Sequence, residues 1–184
     1  MSDATILLTA VKEGDPQAVE KLLDLVYEEL RRLANSKMAK ESPGQTLQPT
    51  ELVHEAWLRL VGGEKYNFQN KAHFFSCAAE AMRRILIERA RRKLTLRHGQ
   101  GYERVDIEEQ DLSAPEADQQ LLAVHEVMDR LALDFPAQAE VVKLRYFAGM
   151  TNEETAQVLD ISVSTAKNYW VFARTWLLHE IKKL

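Results

Sequence analysis

Thr151-Asn152-Glu153-Glu154-Thr155-Ala156-Gln157-Val158-Leu159-Asp160-Ile161-Ser162-Val163-Ser164-Thr165-Ala166-Lys167-Asn168-Tyr169-Trp170 is the stretch on which the reading of this chain turns. Thr151 and Glu154 have the spacing of a capping box, in which each side chain bonds the backbone N–H of the other. A short helix is predicted from there to about Leu159. Asp160-Ile161-Ser162 makes a tight turn, and Ser162 can cap a last helix from Val163 almost to the C-terminus. Ala156 is small where the two helices must cross closely. Leu159 and Ile161 are apolar around the turn, and Ala166 and Trp170 face the core of the pair. The turn position usually given to glycine holds Asp160, and Asp tolerates the left-handed conformation better than most residues. From Thr151 to about Leu178 the spacing is therefore that of a helix-turn-helix.

Such a pair matters because a capped helix N-terminus can enter the major groove and bring its first turns to base edges. Ser164, Thr165, Lys167, Asn168 and Val171 are the exposed residues there. Lys can donate to guanine, Asn can pair bidentately with adenine, and Val can touch a thymine methyl. Tyr169 and Arg174 are better placed for backbone phosphates. A plain helical hairpin with a solvated polar face is the competing reading. It leaves the coincidence of capping box, turn and small residue unexplained.

The composition leaves room for DNA binding and closes several other routes. The 184 residues carry 28 acids and 24 bases, a net charge of −4 that excludes a strongly basic arm but hides local blocks. With 46% hydrophobic and 28% charged residues the chain is globular in balance. A single cysteine, Cys77, excludes a disulfide framework and a multi-cysteine zinc site, and it fits a reducing cytosol. No apolar run approaches the ~18 residues of a membrane span. Met1-Ser2-Asp3-Ala4 lacks the basic start and apolar stretch of a signal peptide. The expected localisation is cytoplasmic, with no membrane partner. There is no phosphate-binding glycine loop, no nucleophile–base pattern and no metal spacing. His54 and His73 lie far apart in sequence with no cysteine to join them. No enzyme activity, cofactor or metal is expected.

Upstream, the chain reads at helical period almost throughout. Ile6, Leu7, Ala10 and Val11 form a short stripe. Asp15 is placed as an N-cap with Pro16 behind it. Ala18, Val19, Leu22, Leu23, Val26, Tyr27, Leu30, Leu33 and Ala34 line one face of the next helix, and Ser42-Pro43-Gly44 marks a turn. Pro49-Thr50 opens a helix with Leu52, Val53, Ala56, Trp57, Leu60 and Val61 on one side, ended by Gly62-Gly63. After an aromatic loop, Tyr66-Asn67-Phe68, Asn70 can cap a fourth helix from about Lys71 to Leu94. That helix has an apolar stripe of Phe74, Phe75, Ala78, Ala81, Met82, Ile85 and Leu86. Between Arg83 and Arg97 it carries seven bases, including Arg84, Arg91 and Arg92, against one acid, Glu88. An isolated charge run is usually a solvated helix face. Beside an aromatic loop it suits single-stranded or partly melted nucleic acid, where bases can stack or enter pockets.

From Gly99 to Asp118 seven acids face one base, Arg104, and few apolar residues are present. The fold expected is all-α: two small helical domains joined by an acidic linker, the C-terminal one containing the helix-turn-helix. Residues 1–98 form the first domain, 99–118 the linker and 119–184 the second. In the second, Leu121, Leu122, Val124, Val127, Met128 and Leu131 begin a helix that Asp134-Phe135-Pro136 breaks. Val141, Val142, Leu144, Tyr146 and Phe147 follow on another, stopped by Gly149.

At this point the chain resembles a bacterial sigma factor of the sigma-70 family, in the small extracytoplasmic-function (ECF) group. Glu51-Leu52-Val53-His54-Glu55-Ala56-Trp57-Leu58-Arg59-Leu60 is similar to that family's polymerase-binding helix. Phe68-Gln69-Asn70-Lys71-Ala72-His73-Phe74-Phe75, continuing into Ala81-Met82-Arg83-Arg84-Ile85-Leu86, resembles the segment that recognises and opens the −10 promoter element. Leu144-Arg145-Tyr146-Phe147 through Arg174 resembles the domain that reads the −35 element. The extra N-terminal and central domains of housekeeping sigma factors are not expected at this length.

The resemblance implies a transcription initiation factor that binds RNA polymerase core, mainly its β′ subunit, and directs it to promoter DNA. Glu51, Leu52, His54, Glu55, Leu58 and Arg59 would dock on core, with core packing as the competing role for Leu52. Phe68, Asn70, Lys71, His73, Arg83, Arg84, Arg91 and Arg92 would meet the −10 element, with Asn70 also able to act as a helix cap. An anti-sigma factor or other regulator is a further partner class. The other function class is a stand-alone helix-turn-helix regulator. That class leaves the basic helix unexplained, and co-purification with core polymerase separates the two.

Overall fold

The computed structural model describes residues 3–38, 48–61, 68, 70–99 and 114–184. The expected turn at Ser42-Pro43-Gly44, the Gly62-Gly63 stop, Tyr66, Asn67, Gln69 and residues 100–113 of the acidic linker lie outside them.

The described chain is all-α, with eight α-helices: α1 Asp3–Lys12, α2 Pro16–Met38, α3 Pro49–Val61, α4 Lys71–Gly99, α5 Ala114–Asp134, α6 Pro136–Val142, α7 Asn152–Leu159 and α8 Val163–Ile181. A π-helical turn, Lys143–Phe147, extends α6. The starts follow the predicted chemistry. The Asp15 carboxylate accepts the Gln17 N–H at 2.9 Å ahead of α2, and the Asn70 side-chain oxygen accepts the His73 N–H at 2.8 Å ahead of α4. Pro136, whose missing N–H costs nothing in a first turn, opens α6. The basic helix runs to Gly99, beyond the expected end at Leu94.

The apolar stripes read from the sequence become the core. Ala18, Leu22, Val26, Leu30, Leu33 and Ala34 of α2 are buried, as are Leu52, Val53, Ala56 and Trp57 of α3. The departure is at α4. Its predicted stripe is buried, and so are Ala79, Arg83, Ile87 and Ala90, which lie off it. A helix covered on more than one side is a central helix. The reason is visible in the packing: α3 lies along one side of α4, while α5 and the π-helical turn lie along another. Val124, Val127, Met128, Leu131, Leu144 and Phe147 thus belong to one continuous apolar cluster with the helices of the first half.

Gly149, predicted as a helix stop, has φ +80° and has a second role. A Cβ there would lie 2.8 Å from the Leu33 carbonyl oxygen and 2.9 Å from the Lys37 nitrogen, both backbone atoms of α2. Only glycine allows this approach of the second half to the first. The Ser36 hydroxyl donates to the Gly149 carbonyl at 3.2 Å across the same contact.

Candidate nucleic-acid interface

The α7–α8 pair has the local geometry its sequence specifies. Thr151 Oγ1 accepts the Glu154 N–H at 3.2 Å and the Glu154 carboxylate accepts the Thr151 N–H at 2.8 Å, completing the capping box. Asp160 takes the left-handed conformation (φ 54°, ψ 46°), and the Ala156 carbonyl accepts the Ile161 N–H at 3.0 Å. Ser162 caps α8 through the Thr165 N–H at 3.0 Å. Ala156 and Ala166 are buried at the crossing. With the turn set this way, Ser164, Lys167, Asn168, Val171 and Arg174 are exposed, and Thr165 and Tyr169 are half-buried. Ser164, Lys167, Asn168 and Val171 thus share one exposed face of α8, with Arg174 at its edge.

Sequence reasoning did not single out Arg145 beneath this ridge. Its guanidinium lies 4.2 Å from the Trp170 ring centroid. Its Nε and Nη1 are buried and find no hydrogen-bond partner among the described residues, and neither does Asn152 Oδ1. Burial holds the guanidinium below its usual pKa, opposed by the Glu153 charge. The available signal was a lone base between Leu144 and Tyr146 in a buried run.

The first half gathers its candidates less evenly. Phe68 packs edge-on against Phe74 at 5.2 Å and His73 at 6.2 Å. Asn70 and His73 are exposed, with Asn70 occupied as the α4 cap. Lys71 sits 3.6 Å from Glu29 and 5.5 Å from the Phe75 ring centroid. Arg84, Arg91 and Arg92 are exposed, Arg84 paired with Glu80 at 3.1 Å. Arg83 is the exception. Its side chain is 8% exposed and points into the α4–α5 packing, 5.7 Å from the Phe147 ring centroid. It donates to His125 Nδ1 at 2.7 Å, Asp129 at 3.3 Å and Glu80 at 3.3 Å. This arrangement therefore does not offer Arg83 to DNA.

Asn70, His73 and Arg84 line a cleft of about 1000 Å³ whose opposite wall is Glu140, Lys143 and Leu159 of the second half. Cys77 is half-buried and lines the same cleft. Burial pushes its thiol pKa up, which disfavours the thiolate.

On α3, Leu52 is fully buried and serves the core, whereas His54 and Leu58 are exposed. The charged candidates knit α3 to α4: Glu51 to Arg89 at 2.6 Å, Glu55 to Arg89 at 3.2 Å and to Arg59 at 3.0 Å, and Arg59 to Glu88. The hydrogen bond from Arg89 holds the Glu51 carboxyl below the usual carboxylate range, and Arg59 does the same to Glu88. Exposed pairs of this kind add little stability, but they set a fixed charge pattern around Leu58.

Among the described residues no group of three His, Cys, Asp or Glu could hold a metal ion. No helix there is long and apolar enough to cross a membrane.

Among the described residues these features define an all-helical arrangement in which a doubly capped helix pair presents an exposed face and a basic helix lies at the centre of the packing. The chain belongs to the ECF sigma factor family, whose model matches residues 1–183. No curated protein matches the sequence. Membership makes it a promoter-specific initiation factor for RNA polymerase, a class whose partners are polymerase core and promoter DNA and whose members are not enzymes.

Proposed function

We propose that α8 reads the −35 element through Ser164, Thr165, Lys167, Asn168 and Val171, with Tyr169 and Arg174 on phosphates. The α4 start and its basic face engage the melted −10 element through Phe68, Asn70, Lys71, His73, Arg84, Arg91 and Arg92. Core polymerase, mainly its β′ subunit, docks on α3 at Glu51, His54, Glu55, Leu58 and Arg59. An anti-sigma factor or other regulator restrains the free protein. Leu52 is left out because it is buried.

The observation that supports this reading is the exposed face of α8, with two caps and a left-handed Asp160 fixing the turn before it. Each base contact made there is worth roughly 1–3 kcal/mol of discrimination. The test is in vitro transcription with purified core and a randomised promoter library. Lys167→Ala and Asn168→Ala should each relax the preference at one or two −35 positions. An unaltered selected sequence in both would remove α8 from the −35 element. Failure to co-purify with core would favour the stand-alone regulator.

A further inference from the structure

The two candidate DNA surfaces carry opposite charge. Between Arg83 and Arg97, α4 holds seven bases against the single acid Glu88, and Arg91 and Arg92 are exposed on it. From Thr151 to Ile181, the α7–α8 pair holds two bases, Lys167 and Arg174, against four acids, Glu153, Glu154, Asp160 and Glu180. Its net charge is −2 with His179 neutral. Two of those acids are occupied. Glu154 pairs with Arg32 at 2.6 Å while closing the capping box, and Glu180 pairs with Arg130 and Lys183. Glu153 and Asp160 are exposed, and neither forms an ion pair among the described residues.

Both lie where phosphates would pass. Asp160 is the left-handed residue that turns α7 into α8, two positions ahead of the Ser162 cap. Glu153 stands in the first turn of α7, and in a helix-turn-helix the first helix crosses the DNA backbone while the second enters the groove. The Glu153 charge acts on Arg145, whose guanidinium lies 4.2 Å from the Trp170 ring centroid. Trp170 is three residues from Lys167 and four from Arg174, so these groups share one side of α8. The acid therefore opposes the attraction that the bases on this side exert on phosphate.

A reader joined covalently to a second DNA-binding surface has a use for this. Once the first half is on a promoter, the second meets the −35 region at an effective concentration on the order of millimolar. An ordinary DNA-binding domain holds random duplex with a Kd of about 10⁻⁴–10⁻⁶ M. At that concentration it would be bound whatever the sequence, and the −35 element would decide nothing. Discrimination survives only where random duplex is held more weakly than the effective concentration. We propose that Glu153 and Asp160 are specificity-determining residues that repel backbone phosphates, so that α8 engages only where its base contacts are made. The sequence-independent attraction is left to α4. The proposal rests on the promoter reading above.

The test uses the full chain with Glu153→Gln and Asp160→Asn, the second chosen because Asn keeps the tolerance of positive φ. Glu20→Gln with Asp24→Asn, at two exposed positions of α2, makes the same change in net charge away from the pair. Each protein is assembled with core. Transcription is then compared between a selected promoter and the same promoter with a scrambled −35 element, at several salt concentrations. A unit charge ~10 Å from a phosphate changes affinity about twofold in water, so two acids give about fourfold. Output from the scrambled promoter should rise about fourfold at low salt in the Glu153→Gln/Asp160→Asn protein. The selected-to-scrambled ratio should fall, and the change should shrink as added salt screens it. The α2 variant should keep the ratio of the unsubstituted chain.

The second readout needs no promoter. Cys77→Ser with Ser164→Cys puts a thiol-attached photo-crosslinker on the exposed start of α8, and free full-length protein is irradiated with a random-sequence duplex at low salt. Removing the two acids should raise the crosslinking yield. An equal rise in the α2 variant would make net charge, and not these two positions, the cause. An unchanged yield and ratio would overturn the repulsion while leaving promoter recognition intact. A raised yield with an unaltered ratio would show repulsion without discrimination, and would overturn the assignment too. A holoenzyme that selects no promoter would overturn the promoter reading. The crosslinking yield would then still decide whether Glu153 and Asp160 hold α8 off phosphates.

Discussion

The α7–α8 pair and helix α4 are both candidate DNA readers, and they were built by different rules. The pair is organised by residues close in sequence: Thr151 with Glu154, Ala156 with Ile161, Ser162 with Thr165. Its reading face is what remains once those bonds are made. Helix α4 takes its exposure pattern from partners distant in sequence, such as His125, Asp129 and Phe147 around Arg83. A base on a locally regular helix is a surface residue in the first setting and a buried packing contact in the second.

The sharpest way to break this contrast is to damage the wall the two halves share. Ile85 is fully buried in α4, and Ile85→Ala should cost about 2–5 kcal/mol. If α4 is a common core, urea unfolding will show one transition shifted for both halves. Two transitions, with that of the second half unmoved, would make the halves independent units.

Base reading comes next in size. Lys167→Ala and Asn168→Ala should lose about 1–3 kcal/mol of discrimination at one or two base pairs. Arg174→Ala should weaken binding evenly across sequences and flatten its salt dependence. Position-specific loss in the Arg174 variant would move that residue from phosphate to base.

Thr151→Ala removes one half of the capping box and should cost about 0.5–2 kcal/mol. Because the bond is local, −35 affinity should fall while permanganate reactivity of the −10 region in holoenzyme keeps its pattern. The reverse result is expected of Asn70→Ala with Lys71→Ala: impaired melting with duplex binding retained.

The smallest effect is on pH. Arginine only donates, so His125 Nδ1 accepts from Arg83 and is unprotonated in the packed arrangement. Burial first, then the charges of Arg83 and Arg91, hold His125 below its ordinary value of 6.5, with Asp129 and Glu80 opposing. Released, the ring returns toward that value and binds more protons below it. The packed form is therefore fully favoured above about pH 6.5 and weakens as pH falls below it. Stability to urea should fall on acidification below that value, and His125→Gln should blunt the change. An equal fall in the His125→Gln protein would remove His125 from the packing energetics.

Much of this molecule was legible beforehand, for reasons that differ by residue. Helix starts at Asp15, Asn70, Thr151 and Ser162 were readable because a cap acts within two or three residues of itself. The buried stripes of α2 and α3 were readable because the buried residues of each recur at three and four along one face. Arg83, Arg145 and Leu52 were harder. Arg83 sits in a run of bases, and nothing within a few residues of it announces α5. Arg145 lies over the Trp170 ring, 25 positions away. Leu52 could be counted with the docking face until its burial was known.

By itself the sequence determined the all-α class, most helix starts, the α7–turn–α8 geometry and the family, because each depends on periodicity, capping and motif order along the chain. The tertiary structure alone decided which face of α4 is buried and where Arg83 points. It also decided why position 149 must lack a side chain, and that Asn70, His73 and Arg84 share a cleft with Glu140. Those depend on how two halves, separated by an acidic stretch, pack against one another. Long-range packing is set by the summed fit of many weak contacts, and no local signal in the chain records it.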